Sequence, residues 1–75
     1  MTEKDAVREA MKIRGYNQTM VAKLAGYPGQ STVAEYLRSK HMRVDNLLRM
    51  LNAMEFDLVV VDRGSKKNVW KVDLE

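Results

Sequence analysis

The chain has 75 residues, no cysteine and one histidine, and its 13 basic and 10 acidic side chains give a net charge of +3 at neutral pH. The absence of cysteine excludes disulfides and the common cysteine-based zinc sites, and a single histidine with scattered carboxylates predicts neither a metal site nor a cofactor. A chain this short forms one domain with a small core, so association with a second copy is the route to added stability that stays open.

The first predicted helix runs from about residue 3 to residue 14. Thr2 can cap it, with Asp5 as a capping-box partner three residues later, and Gly15 is a natural stop. The side chains that line one stripe at helical spacing are Val7, Ala10, Met11 and Arg14. This stripe predicts the side of the helix that packs on the rest of the chain.

The second predicted helix is short, from about residue 18 to residue 25, with Asn17 as its cap. Ala22 is small enough to let a neighbouring helix cross closely. Gly26 ends the helix, and Pro28 prevents its continuation. The side chains predicted to be buried are Val21, Ala22, Leu24 and Ala25.

The third predicted helix begins near Gln30 or Ser31. Two caps are compatible with the sequence, namely Ser31, or Thr32 with Glu35 as its capping-box partner. The inward face at helical spacing consists of Val33, Tyr36 and Leu37. The polar residues left on the outward face are Ser31, Thr32, Glu35 and Arg38.

A turn through residues 39 to 43 precedes the last predicted helix, from about residue 44 to residue 54. Its signal is the apolar stripe Leu47, Leu48, Leu51 and Met54. There is room for at most one further short helix before it. The sequence therefore predicts a helical unit of four or five helices over residues 1–55.

The last part of the chain, residues 56–75, predicts a β-hairpin. Residues 56–61 are compact and β-branched, residues 62–68 form a loop, and residues 69–74 alternate with period two. The first strand is apolar on both faces, which an isolated two-stranded hairpin cannot cover. We expect one face to pack on the helices, within the same globule, and the other face or the free edge to meet a second subunit through Leu58, Val59, Val60, Val61, Trp70 and Val72.

Two short helices joined by a tight glycine turn, the second polar on its outer side, are the physical requirement of a helix-turn-helix. The run QTMVAKLAG (Gln18 to Gly26) and the run GQSTVAEY (Gly29 to Tyr36) resemble the lambda-repressor-like, Xre/Cro-type family. The shared pattern is a Gln that opens the second helix, a buried Ala four residues later, a Gly at the turn and a Gln/Ser/Thr-rich recognition helix. The resemblance covers about residues 5 to 56, and the hairpin resembles the β-extensions that some antitoxin-type members use to dimerise.

The chain departs from the family pattern at two places. The turn between Gly26 and Val33 is one residue longer than usual, so the start of the recognition helix can differ by one residue. Ser39 stands where many members carry Gly. Tyr27, in the longer turn, either covers the turn or touches a phosphate.

The resemblance implies that the start of the third helix reads bases in the major groove of double-stranded DNA. The residues it places on bases are Gln30, Ser31, Thr32 and Glu35, and those it places on phosphates are Asn17, Gln18, Arg38, Lys40 and Arg43. Their chemistry agrees, because Gln pairs bidentately with adenine, Glu accepts from cytosine N4, and cations and helix N-termini bind phosphate. The alternative is that these side chains form only a cap and a solvated surface.

The sequence thus predicts a transcriptional regulator, a repressor that binds a two-fold-symmetric operator as a homodimer. The alternative is an antitoxin or inhibitor module whose main partner is another protein, such as a toxin, docked through the hairpin. No Ser–His–acid set or phosphate-binding loop is found, so no enzyme is expected. No apolar run approaches the ~20 residues of a membrane span, and a signal-peptide core is missing, so we expect a cytoplasmic protein with no membrane contact.

Overall fold

The computed structural model describes residues 1–74 and, over that range, contains four helices followed by a two-stranded antiparallel sheet. In chain order the elements are α1 (Glu3–Arg14), α2 (Gln18–Ala25), α3 (Gln30–Arg38), α4 (Val44–Ala53), β1 (Leu58–Val61) and β2 (Val69–Val72). The predicted mainly helical architecture with a terminal hairpin is confirmed. Both strands are shorter than predicted, because residues 56–57 and 73–74 lie outside the ladder.

Side-chain caps fix where the first two helices begin. The Thr2 hydroxyl accepts from the N–H of Asp5 at 3.2 Å, and the Asp5 carboxylate accepts from the N–H of Thr2 at 3.1 Å. Asn17 accepts from the N–H of Met20 at 2.9 Å through its side-chain oxygen. The capping box of α1 and the Asn17 cap of α2 are therefore confirmed, and both satisfy N–H groups that a helix leaves free at its start.

Three of the four helices end in the same way, at a residue with positive φ that is followed by an aromatic residue. The residues with positive φ are Gly15 (70°), Gly26 (78°) and Glu55 (64°). The aromatic N–H groups donate at 2.9 Å to the carbonyl five residues earlier, Tyr16 to Met11, Tyr27 to Ala22 and Phe56 to Leu51. All three aromatic rings pack against the core, so one motif both ends each helix and contributes to the core.

The core lies between the four helices. Its buried side chains are Val7, Ala10, Val21, Ala22, Val33, Leu37, Met50, Leu51 and Met54. Ala22 is almost fully buried in α2, as its predicted role in close helix packing requires. The predicted burial of Leu24 is wrong, since 53% of it is exposed. The buried stripe of α2 runs through Val21, Ala22 and Ala25, and Leu24 projects about 100° away from Ala25 around the helix axis.

Three cations on α1 hydrogen-bond carbonyl groups at the C-terminal ends of α3 and α4. Lys4 Nζ and an Arg8 guanidinium nitrogen donate to the carbonyls of Ser39 and Leu37, at 2.9 and 3.1 Å, and Arg14 Nε donates to that of Met54 at 2.9 Å. The last carbonyls of a helix lack partners within the helix, so these bonds satisfy them and favour the negative helix end. Through Lys4 and Arg8, the first helix is thereby linked to the C-terminal end of α3.

Candidate nucleic-acid interface

A four-residue turn, residues 26–29, joins α2 to α3. Gly26 adopts φ 78°, a backbone conformation that glycine accepts without steric cost. The N–H of Tyr27 donates to the carbonyl of Ala22 at 2.9 Å. This hydrogen bond closes the turn that ends α2. α2 then packs against both α3 and α4.

α3 begins at Gln30, one of the two starting points that the sequence allows. Its N-cap is Gly29, and no side chain caps it, so the predicted caps Ser31 and Thr32 with Glu35 are wrong. The N–H of Thr32 already donates to the carbonyl of Gly29 at 3.2 Å, which places both hydroxyl residues inside the first turn. A capping side chain must lie one position before that turn. The N-terminus of α3 is therefore uncapped by side chains and lies at the surface beside Gln30.

Tyr27 braces the turn against α4. Its hydroxyl donates to Asn46 Oδ1 at 3.3 Å, and its ring meets the Tyr36 ring edge-on, with 5.5 Å between centroids and 70° between planes. Burial, followed by the proximity of Tyr36, raises the pKa of the Tyr27 hydroxyl and keeps it a neutral donor. Tyr27 thus covers the turn, which is one of the two roles that the sequence left open. A contact of its hydroxyl with a phosphate stays a prediction.

The two sides of α3 differ in burial as predicted. Val33 and Leu37 are buried in the core, and Tyr36 is half-buried against it. The exposed polar residues are Gln30, Ser31, Glu35 and Arg38. Thr32 differs from the expected outward position, because it is half-buried at the side of the helix and lines a neighbouring groove.

That groove, of about 420 Å³, lies between α3 and the start of α4. It is lined by Thr32, Glu35, Tyr36, Ser39, His41, Met42, Arg43 and Asn46. The Ser39 hydroxyl shares its proton between the carbonyls of His41 (2.7 Å) and Tyr36 (2.9 Å), which shapes the turn after α3. Ser39 adopts φ −68° and ψ 152°, a conformation open to any residue, so the backbone requires no glycine at this position. The groove combines donors and acceptors with an open mouth along one side of α3.

The cations assigned to phosphates are exposed but not equivalent. Arg38 ends α3, and Lys40 follows in the turn. Arg43 pairs with Asp45 at 3.1 Å, and both side chains are more than half exposed. Such an exposed pair contributes little to stability and its cation can exchange partners. Arg38 and Lys40 form no ion pair within residues 1–74, so their positive charge is less neutralised than that of Arg43.

Asn17 and Gln18 lie at the other end of the helix pair in chain order, where α2 begins. The side-chain oxygen of Asn17 is occupied by the N–H of Met20, so this residue also acts as the helix cap. Gln18 is half-buried in the first turn of α2. The first N–H groups of a helix favour anions because they carry its positive dipole end.

The hairpin carries the residues assigned to a subunit interface, and most of them are exposed. Leu58 faces Val72 and Val60 faces Trp70 across the ladder. Leu58 packs against the core, whereas Trp70 is 58% exposed. The expected packing of one hairpin face on the helices therefore holds at the Leu58 end of that face, and the rest of the face is open.

Comparison with known protein families, with curated proteins and with solved structures finds no match to this chain. Within residues 1–74, no helix has both the length and the apolar character needed to cross a membrane. The function of the site is therefore inferred from the geometry and chemistry given above.

The contacts that position α3 were not foreseen from the sequence. They are the bond between Tyr27 and Asn46 and the two bonds from Lys4 and Arg8 to the end of α3. Lys4 and Arg8 are four residues apart and so share a side of α1. This spacing indicates that both can contact the same neighbouring element. Nothing in the spacing indicates which carbonyls they reach.

Proposed function

We propose that this chain is a sequence-specific DNA-binding protein with a lambda-repressor-like helix-turn-helix, in which α2 and α3 are the helix pair. The supporting observation is that the inner side of α3 packs in the core while its outer side is polar and exposed. Val33 and Leu37 anchor its inner side, and Tyr27 fixes the turn before it. A short, rigid helix of this kind fits the major groove of B-DNA, which is about 12 Å wide.

Base recognition in this proposal comes from the exposed start and outer side of α3. Gln30 supplies a donor and an acceptor that match adenine, and Glu35 supplies an acceptor that matches the amino group of cytosine. Ser31 can serve either a base or a phosphate. Thr32 lies at the edge of the groove beside α3, so its hydroxyl would contact the base or sugar nearest that edge. Each good bidentate pair contributes roughly 1–3 kcal/mol of discrimination against the wrong base.

Phosphate contacts set the register of the protein on the duplex. Arg38, Lys40 and Arg43 lie at the C-terminal end of α3 and the turn that follows, and Asn17 and Gln18 lie at the start of α2. Two groups at opposite ends of the helix pair can hold the two backbones that border one major groove. Because such contacts release counterions, the affinity falls steeply with salt, by about 0.9 in log–log slope for each phosphate neutralised.

Among the types of transcriptional regulator, a repressor fits a chain of this size best. Two copies related by a two-fold axis would present two α3 helices to successive major grooves, about 34 Å apart on one side of the duplex. Binding of this kind at a promoter occludes polymerase without a further domain. The operator would then be a two-fold-symmetric sequence.

The proposal is tested by selecting bound duplexes from random double-stranded DNA at two salt concentrations, followed by binding assays with variants. The double variant Gln30→Ala/Arg38→Ala should lose specific binding by roughly tenfold or more, because it removes one base contact and one phosphate contact. The matched control Lys12→Ala/Asn52→Ala removes the same kinds of exposed side chains from the ends of α1 and α4, and should bind as the parent does. Unchanged binding by the first variant would mean that α3 is not the reading helix.

A second candidate function rests on the hairpin. Both faces of the hairpin carry exposed apolar side chains, since Val59, Val60, Val61, Val69 and Trp70 are all at least 40% exposed. Such a surface fits an antitoxin or inhibitor whose main partner is another protein. Co-purification of a stable complex with a second protein, lost in Val60→Asp, would favour this function over direct DNA recognition.

A further inference from the structure

The ladder between β1 and β2 defines which backbone groups of β1 are free. The N–H of Asp62 donates to the carbonyl of Asn68 at 3.0 Å, so these two residues form a hydrogen-bonded pair that continues the ladder. Hydrogen-bonded and non-hydrogen-bonded pairs alternate along an antiparallel ladder. Val59 and Val61 therefore direct their N–H and C=O groups away from β2, towards the free edge.

The free edge of β1 carries no charge, proline or bulge within Leu58–Val61. Natural edge strands carry charges, proline or bulges that block pairing with other chains. All four residues of β1 are Leu or Val, and Val59 and Val61 are 49% and 53% exposed. The free edge of β2 differs, because it carries Lys71, which pairs with Asp73 at 3.4 Å. Of the two edges, that of β1 is therefore the one less protected against pairing with another strand.

We propose that the β1 edge binds the β1 edge of a second copy of this chain, antiparallel across a two-fold axis beside Val60. The result is a four-stranded sheet in the order β2–β1–β1–β2. The inference rests on the proposed function, because it gives the homodimer of that function a defined interface.

Three symmetric registers would align the free backbone groups of two β1 edges. Val59 can lie opposite the partner's Val59, Val61 opposite the partner's Val61, or Val59 opposite the partner's Val61. The first two pair one free residue of β1 with its counterpart and leave the other free residue outside the strand of the partner. The third, centred on Val60, pairs both free residues of each strand and gives the longest shared ladder.

Charge complementarity selects the same register. With the axis beside Val60, Asp57 lies opposite the partner's Arg63, and the partner's Asp57 lies opposite Arg63. Both side chains are exposed, and neither takes part in an ion pair within residues 1–74. The two other registers place Asp57 opposite Val61 of the partner subunit, or Arg63 opposite Val59 of the partner subunit. Asp57 lies one residue before β1 and Arg63 two residues after it, so the opposite charges meet at the two ends of the shared ladder and favour this register.

The same register places the open apolar faces of the two hairpins side by side. Val60 and Trp70 face each other across one hairpin, with exposures of 40% and 58%. In the four-stranded sheet the two Val60 side chains become neighbours, and a Trp70 flanks each of them. One continuous apolar row then crosses the sheet, in place of two separate exposed patches.

Disulfide trapping tests the register, because the parent chain contains no cysteine. Val60 and the partner's Val60 form a non-hydrogen-bonded pair, with Cα atoms about 4.5 Å apart, and disulfides need roughly 4.4–6.8 Å. Val60→Cys should therefore become a covalent dimer on mild oxidation of the folded chain. Val59→Cys mixed with Val61→Cys should cross-link more than either variant alone.

The matched control is Val69→Cys, at a similarly exposed valine on β2, which the proposed sheet places on its two outer strands. It should stay uncross-linked, alone or mixed with Lys71→Cys. Cross-linking at Val69 but not at Val60 would assign the interface to β2 and overturn the proposal. Absence of cross-linking at Val59, Val60 and Val61, in variants whose circular dichroism matches that of the parent, would overturn it as well.

Charge exchange supplies a second test that does not depend on cysteine. Asp57→Arg alone or Arg63→Asp alone places like charges opposite each other twice, and should raise the dimer Kd by about tenfold in sedimentation equilibrium. The double variant Asp57→Arg/Arg63→Asp should regain most of that affinity, because the pairs re-form with reversed sign. Lack of rescue by the double variant would overturn the Val60 register.

The outcome is separable from that of the DNA proposal. A Val60→Cys dimer that binds no selected DNA would retain the interface and remove the DNA-binding function. Specific DNA binding by a chain that fails both the cross-linking and the rescue test would retain the helix-turn-helix and remove this interface.

Discussion

The Arg14 guanidinium lies over the Phe56 ring, 4.3 Å from its centroid. The same group donates to the carbonyl of Met54 at 2.9 Å and to that of Glu55 at 3.4 Å. Arg14 is the last residue of α1, and the chain leaves the helices for the hairpin at residues 54–56. One side chain therefore ties the end of α1 to the end of α4 and to the start of the hairpin.

Arg14→Ala should lower the free energy of unfolding by about 1–2 kcal/mol, because it removes a charged hydrogen bond to the end of α4 and a cation–π contact. Urea denaturation followed by circular dichroism measures this change. Lys12→Ala, at an exposed cation two residues earlier with no such contact, should change stability by less than about 0.5 kcal/mol. Equal effects of the two variants would show that the contacts of Arg14 contribute nothing.

Glu55→Gly should raise stability by about 0.5–1 kcal/mol. Glu55 holds φ 64° at the same position in its helix end that Gly15 and Gly26 hold in theirs. A Cβ atom disfavours this conformation, and glycine relieves that cost. The control is Glu55→Ala, which keeps the Cβ atom and should give no gain in the urea midpoint. A gain from alanine equal to that from glycine would mean that the glutamate charge, and not the backbone, is responsible.

The boundaries of α1 and α2 were predictable because local chemistry decides them. Thr2 with Asp5, and Asn17, are caps that act within three residues, and Gly15 and Gly26 are stops that act through their own φ. The cap of α3 was not predictable in the same way. Its N-cap, Gly29, has no side chain to signal the role, and the hydroxyls that follow it compete as candidates.

The exposed polar side of α3 was also predictable, since it follows once Val33 and Leu37 are placed inward. The contacts that hold α3 in place were not. Arg8 reaches a carbonyl 29 residues away, and Tyr27 reaches Asn46 across 19 residues. Periodicity identifies which side of a helix is buried, but the partner of a long polar side chain depends on how helices are arranged in three dimensions.

Tyr27→Ala should destabilise the protein by about 2–3 kcal/mol, because it removes a half-buried ring that packs edge-on against Tyr36. Tyr27→Phe keeps the ring and loses only the 3.3 Å bond to Asn46, so it should cost less than about 1 kcal/mol. If Tyr27 positions α3, DNA affinity should fall in the alanine variant and stay near the parent value in the phenylalanine variant. Reduced affinity in Tyr27→Phe at unchanged stability would instead indicate a direct hydroxyl contact with DNA.

The loop of the hairpin is organised around one carboxylate. Asp62 accepts from the side-chain amide of Asn68 and from the N–H of Gly64, each at 2.8 Å. The Asn68 bond, followed by the Gly64 bond, holds the pKa of Asp62 below its ordinary value. These bonds close the loop from residue 62 to residue 68 and so support the pairing of β1 with β2.

Asn68→Ala should raise the pKa of Asp62 towards its ordinary value, as measured by NMR titration of the side-chain carboxyl carbon. Since folding lowers this pKa, the carboxylate stabilises the loop above about pH 4 and loses that effect as the pH falls through the folded-state pKa. The protection factors of the hairpin amides, which compare the observed exchange rate with the intrinsic rate at each pH, should therefore fall on acidification in the parent chain, and less so in Asn68→Ala. Lys66→Ala, in the same loop, should leave the Asp62 titration unchanged. An identical Asp62 pKa in the parent and in Asn68→Ala would contradict the assignment of Asn68 as the main cause.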